Sequence, residues 1–206
     1  MLFSPSADST KASTYTSSVT LTDTNESVSI PAYLKYLDEL TVGLKYLNTP
    51  TFEAMAHWVK AVKREDRTVF VMGNGGSYAN AGHLALHLRQ VGVRVVDLLS
   101  DVSHLTALSN DGDYSTAPRT RLSLEGRCKD LLIVLSGSGE SLNVLLALAA
   151  ANRMDIGTFG LLGFGGGTAK HLCDMSLVLP SKSYGVIEDC HSVALHILSH
   201  LVADKG

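Results

Sequence analysis

Apolar residues along this chain change their period near residue 68. Before it, Tyr33, Leu34, Leu37, Leu40, Leu44 and Leu47 recur at helical spacing, which predicts an amphipathic helix over 32–47 with Pro31 at its start. Pro50 then restarts the chain, and Phe52, Met55, Ala56, Val59 and Val62 mark a second helix over 51–63. From there the apolar residues come in short continuous runs. TVFVM at 68–72 and LLIVL at 131–135 are the runs of buried parallel strands. Further strands are expected at 93–99, 157–162 and 176–179, and helices at 79–91, 103–109, 142–153 and 186–202.

Strands alternating with helices predict an α/β fold, a doubly wound parallel sheet flanked by helices, with right-handed crossovers. One domain is expected over 30–206. The two helices ahead of the first strand carry more apolar surface than the sheet obviously requires, so a partner subunit is expected to cover them. Residues 1–29 are dominated by Ser, Thr and Asp. They read as a mobile arm, because such a segment buries too little to offset its ordering entropy. The alternation at Val19, Leu21 and Val28 offers a short edge strand as the other reading.

Charge and cysteine usage narrow the function. The net charge is −3 with lysines and arginines scattered, so the basic surface that nucleic-acid binding needs is missing. An anionic ligand would have to be held by local geometry. Cys128, Cys173 and Cys190 form no C-x-x-C pair, which points to reduced thiols and a cytoplasmic location. The apolar runs are too short to span a bilayer, and no basic start followed by an apolar core marks a secretion signal. No membrane partner is expected.

Two loops carry the candidate chemistry. Gly73-Asn74-Gly75-Gly76-Ser77 follows TVFVM, and Ser136-Gly137-Ser138-Gly139-Glu140-Ser141 follows LLIVL, each just before a helix. Glycines let backbone approach a ligand, and hydroxyls with helix N-terminal amides suit a phosphate. Neither loop has dinucleotide or P-loop spacing. One such loop would be explained by an ordinary turn and helix cap. Two, both at strand carboxyl ends where doubly wound sheets bind ligands, point to phosphate binding. A third glycine-rich stretch, 163–167, lacks a hydroxyl until Thr168 and reads as a structural turn.

The ordered set GNGGS, SDVSHLTALSND, SGSGES and IEDCHSVALH resembles the phosphoheptose isomerase branch of the sugar isomerase (SIS) domain family, from about residue 68 to the C-terminus. The resemblance implies a flavodoxin-like three-layer sandwich. It implies conversion of sedoheptulose 7-phosphate to D-glycero-heptopyranose 7-phosphate, in homotetramers whose sites lie between subunits. Phosphate contacts would fall to Ser77, Ser136, Ser138 and Ser141, and sugar contacts to Asn74 and Asp111, with Gly75 beside them in the first loop. In the resembling enzymes a divalent metal, zinc in some, is held by the residues matching His83, His87, Glu188 and His196. The chain also departs from that pattern. Gly137 stands for a threonine, His87 for a catalytic glutamate, and Glu188 for a glutamine.

His83 and His87, four apart, share a helix face and could chelate one ion. Glu188 and His196 are eight residues apart, roughly 12 Å along an ideal helix. Glu188 reaches an ion at His196 only from a frayed or bent helix, and otherwise serves as a base. Aldose–ketose isomerisation needs a base, here His87 or Glu188, an acid, here His196, and an electrophile for the enediolate oxygen. The rival readings are a non-catalytic SIS adaptor, a regulatory sugar-phosphate-binding protein, and an isomerase of a shorter phosphosugar.

Overall fold

A computed structural model describes residues 31–203. The serine-rich arm and its edge-strand alternative lie outside these residues. Helix α1 (Ala32–Lys45) and helix α2 (Pro50–Arg64) precede the sheet. The Thr49 side chain caps α2 by accepting from Phe52 N at 3.3 Å, and Pro50 occupies its first turn, where a missing N–H costs nothing.

Five strands follow, β1 (Thr68–Met72), β2 (Arg94–Asp97), β3 (Leu131–Ser136), β4 (Gly157–Leu162) and β5 (Met175–Val178). All pair in parallel in the order β2-β1-β3-β4-β5. This is the doubly wound order whose direction reverses between β1 and β3, leaving a crevice beyond their carboxyl ends. Between the strands run α3 (Gly76–Gln90), α4 (Val102–Asp111), a 3-10 turn (Tyr114–Thr116), α5 (Ala117–Glu125), α6 (Leu142–Arg153) and α7 (Ala169–Leu172). Helix α8 (Tyr184–Ala203) closes the fold. The sequence reading finds neither α5, whose polar run has weak periodicity, nor α7, which is one turn long.

Side chains alternate across the sheet as period two requires. Val69, Val71, Ile133, Phe159 and Leu161 pack with α2, α3 and α8. Phe70, Met72, Leu132, Val134 and Leu162 pack with α5, α6 and α7. The expectation of spare apolar surface holds for α1 and fails for α2. Phe52, Met55 and Val59 of α2 are fully buried in the protein's own core, while α1 exposes Tyr33, Leu34, Leu37 and Val42. Helix α1 lies close on α8 because two glycines permit it: a Cβ at Gly43 would meet Cys190 Sγ at 2.6 Å, and one at Gly185 the Tyr36 hydroxyl at 2.9 Å. That hydroxyl donates to Asp189 at 2.6 Å, which with burial pushes the phenol up to about 12. Among the described residues no helix is long and apolar enough to cross a membrane.

His191 sits at the opposite extreme, fully buried on α8 with neither ring nitrogen hydrogen-bonded. Burial lowers its pKa from the ordinary 6.5 to about 4, since desolvation disfavours the charged ring. The unfolded chain therefore binds the proton more readily, and stability is lost as pH falls from 6.5 towards 4. Urea unfolding is expected to show roughly 3 kcal/mol lost over that window. His191→Leu should flatten this dependence without destabilising the protein at pH 7.5; an unchanged pH profile would contradict the assignment.

Candidate active site

Both predicted loops converge at the switch point, because β1 and β3 are paired from Val69↔Leu131 to Met72↔Val134 and so end side by side. Asn74, Gly75, Gly76 and Ser77 line one side of a cleft of about 270 Å³; Ser136, Gly137, Ser138 and Ser141 line the other, with Tyr184 and Glu188 arriving from α8. Among the described residues no lysine or arginine lines it. An anion bound here is held by hydroxyls and amides. A larger cleft of about 580 Å³, beside Asp38, Glu39, Lys182 and Ser183, gathers neither loop.

The first loop turns at Gly75, whose φ of +55° and ψ of −125° belong to a region closed to side chains. Asn74 is clamped behind it. Its Nδ2 donates to Asn143 Oδ1 at 2.9 Å, and its Oδ1 accepts from Asn143 Nδ2 at 2.9 Å and from the Tyr114 hydroxyl at 2.7 Å. Asn143 is buried on α6, so α6 and the 3-10 turn together set the loop. Burial raises the pKa of the Tyr114 phenol. Ser77 is buried in the first turn of α3.

In the second loop, the Ser136 hydroxyl accepts from Gly139 N at 3.0 Å and the Ser138 hydroxyl from Glu140 N at 3.2 Å. Ser141 begins α6 without spending its side chain on a cap. Glu140 ties this loop to the third glycine stretch: its carboxylate accepts from Thr168 N at 2.8 Å and the Thr168 hydroxyl at 2.9 Å. Residues 163–167 do not line the cleft, in keeping with a structural turn.

The histidines form a second cluster farther along the same two helices. His83, His87 and His196 have ring nitrogens within 4.8 Å of one another. Nε2 of His83 and His87 are 2.9 Å apart, and ring centroids are separated by 4.5 to 5.0 Å. Nitrogens on a tetrahedral zinc ion with bonds of 2.0–2.1 Å lie about 3.3 Å apart. The donor set and its convergence fit such an ion, with a coordination position left open. Desolvation, and then the charges of His83 and His196, lower the pKa of His87, which favours the neutral form a metal requires.

Glu188 does not join the imidazoles. Its carboxylate lies against Gly76, in space a side chain there would fill, and its backbone carbonyl accepts from Asn80 Nδ2 at 2.8 Å. The helical rise that separates it from His196 is the reason. Asp111 also stands apart from the cleft, exposed at the end of α4 and accepting from Asn110 Nδ2 at 2.9 Å. Tyr114, Asn143, Glu140 and Tyr184 escape the sequence reading, because each acts across a long stretch of chain with no local pattern to mark it.

Comparison with known proteins agrees with this fold. Residues 32–163 match the family model described as the SIS domain. The chain belongs to the SIS domain family. A phosphoheptose isomerase of Pelobacter propionicus is 34% identical over 182 residues, covering 81% of this chain and 96% of that protein. Another, from Geobacter metallireducens, is 37% identical over 164 residues, covering 77% and 86%. The solved phosphoheptose isomerase of Neisseria gonorrhoeae superposes with a TM-score of 0.78 at 28% identity, covering 82% of this chain and 94% of that one.

The Asn74–Asn143 clamp is open to test. Asn143→Ala takes the partner from Asn74 Nδ2, leaves Asn74 Oδ1 with Tyr114 alone, and is expected to cost about 2 kcal/mol in urea unfolding. Wild-type stability in this variant would show that the clamp is not what sets the loop.

Proposed function

We propose that this protein is an aldose–ketose isomerase that converts sedoheptulose 7-phosphate to D-glycero-heptopyranose 7-phosphate. The observation that carries the reading is the cleft at the switch point, where two glycine- and serine-rich loops face each other with a carboxylate between them. The phosphoheptose isomerases among its relatives, matched over most of their length, support the same substrate.

The phosphate is held by the hydroxyls of Ser77, Ser136, Ser138 and Ser141 and by the amides that open α3 and α6. The reacting carbons are at the other end of the seven-carbon chain, and α3 leads away from the phosphate. His83 and His87 lie six and ten residues beyond Ser77, about 9 and 15 Å along an ideal helix. Fixing the far end orients the reacting end.

His83, His87 and His196 would hold a divalent ion, zinc by the chemistry of the donors. When bound, such an ion supplies electrophilic stabilisation of the enediolate oxygen. Imidazoles committed to an ion cannot carry protons; Glu188, at the serine-loop end and roughly 12 Å along α8 from His196, is then the base that moves the proton from C1 to C2 on a sugar bound with C1 and C2 turned back toward the cleft. Without the ion, His87 is the neutral imidazole able to accept that proton and His196 the acid. The exposed apolar face of α1 supports assembly into a homotetramer, as the resemblance implies.

Two experiments test this reading. Ser138→Glu places a charge in the phosphate loop away from the core, so it should abolish sedoheptulose 7-phosphate turnover while leaving the unfolding transition intact. Unchanged affinity for the phosphosugar in that variant would remove the serine loop from the site. For the metal, elemental analysis of purified protein should find about one zinc per subunit, and His83→Ala should lose it. His191→Ala should keep it. Protein free of metal, with turnover that survives chelation, assigns the reaction to acid–base groups alone.

A further inference from the structure

Position 137 lacks a side chain because a ring from another element stands there. A Cβ built on Gly137 would lie 2.6 Å from both Cδ1 and Cε1 of Tyr184, on the first turn of α8. Any larger residue at 137 and this ring exclude each other. The ring also packs on Phe164, with centroids 4.7 Å apart and planes inclined by 43°.

Phe164 is fixed at some expense. Its φ of +47° is in the left-handed region, which a bulky residue adopts only when its surroundings compel it. Here Phe164 N donates to Ser181 O at 3.1 Å, and the loop that carries it is tied to the serine loop by Glu140 and Thr168. Two segments distant in sequence are thus locked so as to keep one phenol ring over the serine loop.

That ring changes the character of the cleft. Among the described residues that line it, Tyr184 is the only aromatic, and the others are small or polar. It is 56% exposed and opens onto the cleft. Small-molecule sites combine apolar surface with a few placed polar groups, and here the apolar surface is concentrated in one side chain beside the phosphate hydroxyls. A phosphosugar presents matching chemistry, an anion at one end and a carbon chain with C–H faces beyond it.

We propose that Tyr184 is a specificity-determining residue of this cleft: its ring, seated over Gly137, is the wall against which the carbon chain of the bound phosphosugar packs. The assignment rests on the phosphosugar reading above and adds to it the residue that senses the sugar rather than the phosphate. The phosphate stays with the serines. The ring recognises what is attached to it.

The test compares calorimetric binding of inorganic phosphate and of sedoheptulose 7-phosphate with steady-state kinetics in Tyr184→Ala, Tyr184→Phe, Gly137→Thr and the Gly137→Thr/Tyr184→Ala double variant. Tyr184→Ala is expected to raise KM about tenfold with kcat within about threefold, and to leave phosphate affinity unmoved. Tyr184→Phe, which keeps the ring, should restore the KM. Gly137→Thr should weaken both ligands about tenfold, since ring and side chain cannot share the space, and the double variant should regain the phosphate affinity but not the KM. Tyr184→Ala removes an exposed side chain, so it decides the matter even should Gly137→Thr fail to fold. An unmoved KM in Tyr184→Ala, or an equal loss of phosphate affinity there, overturns the assignment. Gly137→Thr binding both ligands as the wild type does would overturn it as well. Wild-type protein that binds neither ligand overturns the phosphosugar reading itself, a result distinct from any failure confined to position 184.

Discussion

The pairing of β1 with β3 is the constraint on which the site depends. The two strands are separated by nearly sixty residues of chain, yet their parallel register brings Met72 opposite Val134, so the loops that follow leave the same edge of the sheet, the second two residues beyond the first. A shift of one residue would turn each buried side chain to the opposite face and carry one loop out of reach of the other. The alternation of Val69, Val71 and Ile133 with Phe70, Met72, Leu132 and Val134 between two cores forbids that shift. Loop geometry is in this sense a product of core packing. The glycines and serines supply the chemistry, and the apolar residues before them supply the aim.

Helices α3 and α8 extend that alignment outward. Both begin at the cleft and lie against each other, with Ser77 near Tyr184 and Glu188 at one end and His83 and His87 near His196 at the other. The Asn80 side chain bridges to the Glu188 carbonyl between the two groups. Helical rise then apportions roles. Residues on the first turns serve the cleft, and residues two turns on serve the imidazole cluster. Neither group can trade places without remaking the helix.

Much of this was legible in the sequence, and the misses share a cause. The buried runs 68–72 and 131–135 announced the central strands, and the loops after them announced the ligand end, because these signals are local. The spacing of His83 and His87 gave a shared face correctly. So did the doubt over Glu188, since the rise of a helix is fixed before any tertiary contact forms. What could not be read were pairings across the chain. Nothing near Gly137 says that Tyr184 fills its space, nothing near Glu140 points to Thr168, and nothing near Asn74 names Asn143. The stripe on α2 looks surplus in the sequence because its cover, a sheet face shared with α3 and α8, exists only in three dimensions.

The position of α8 has a bearing on how the protein comes into being. The last helix of the described chain packs against α1, α2 and α3, all of which are made before it. During synthesis the apolar faces of α2 and α3 emerge early and wait, for their cover is still inside the ribosome. Val186, Ile187, Leu195 and Leu198 complete that core only after the sheet's final strand has left the tunnel. Folding here cannot run to completion from the N-terminus onward. The nascent chain carries an uncovered seam until α8 is free, the interval in which a large α/β domain is most exposed to aggregation and to chaperones.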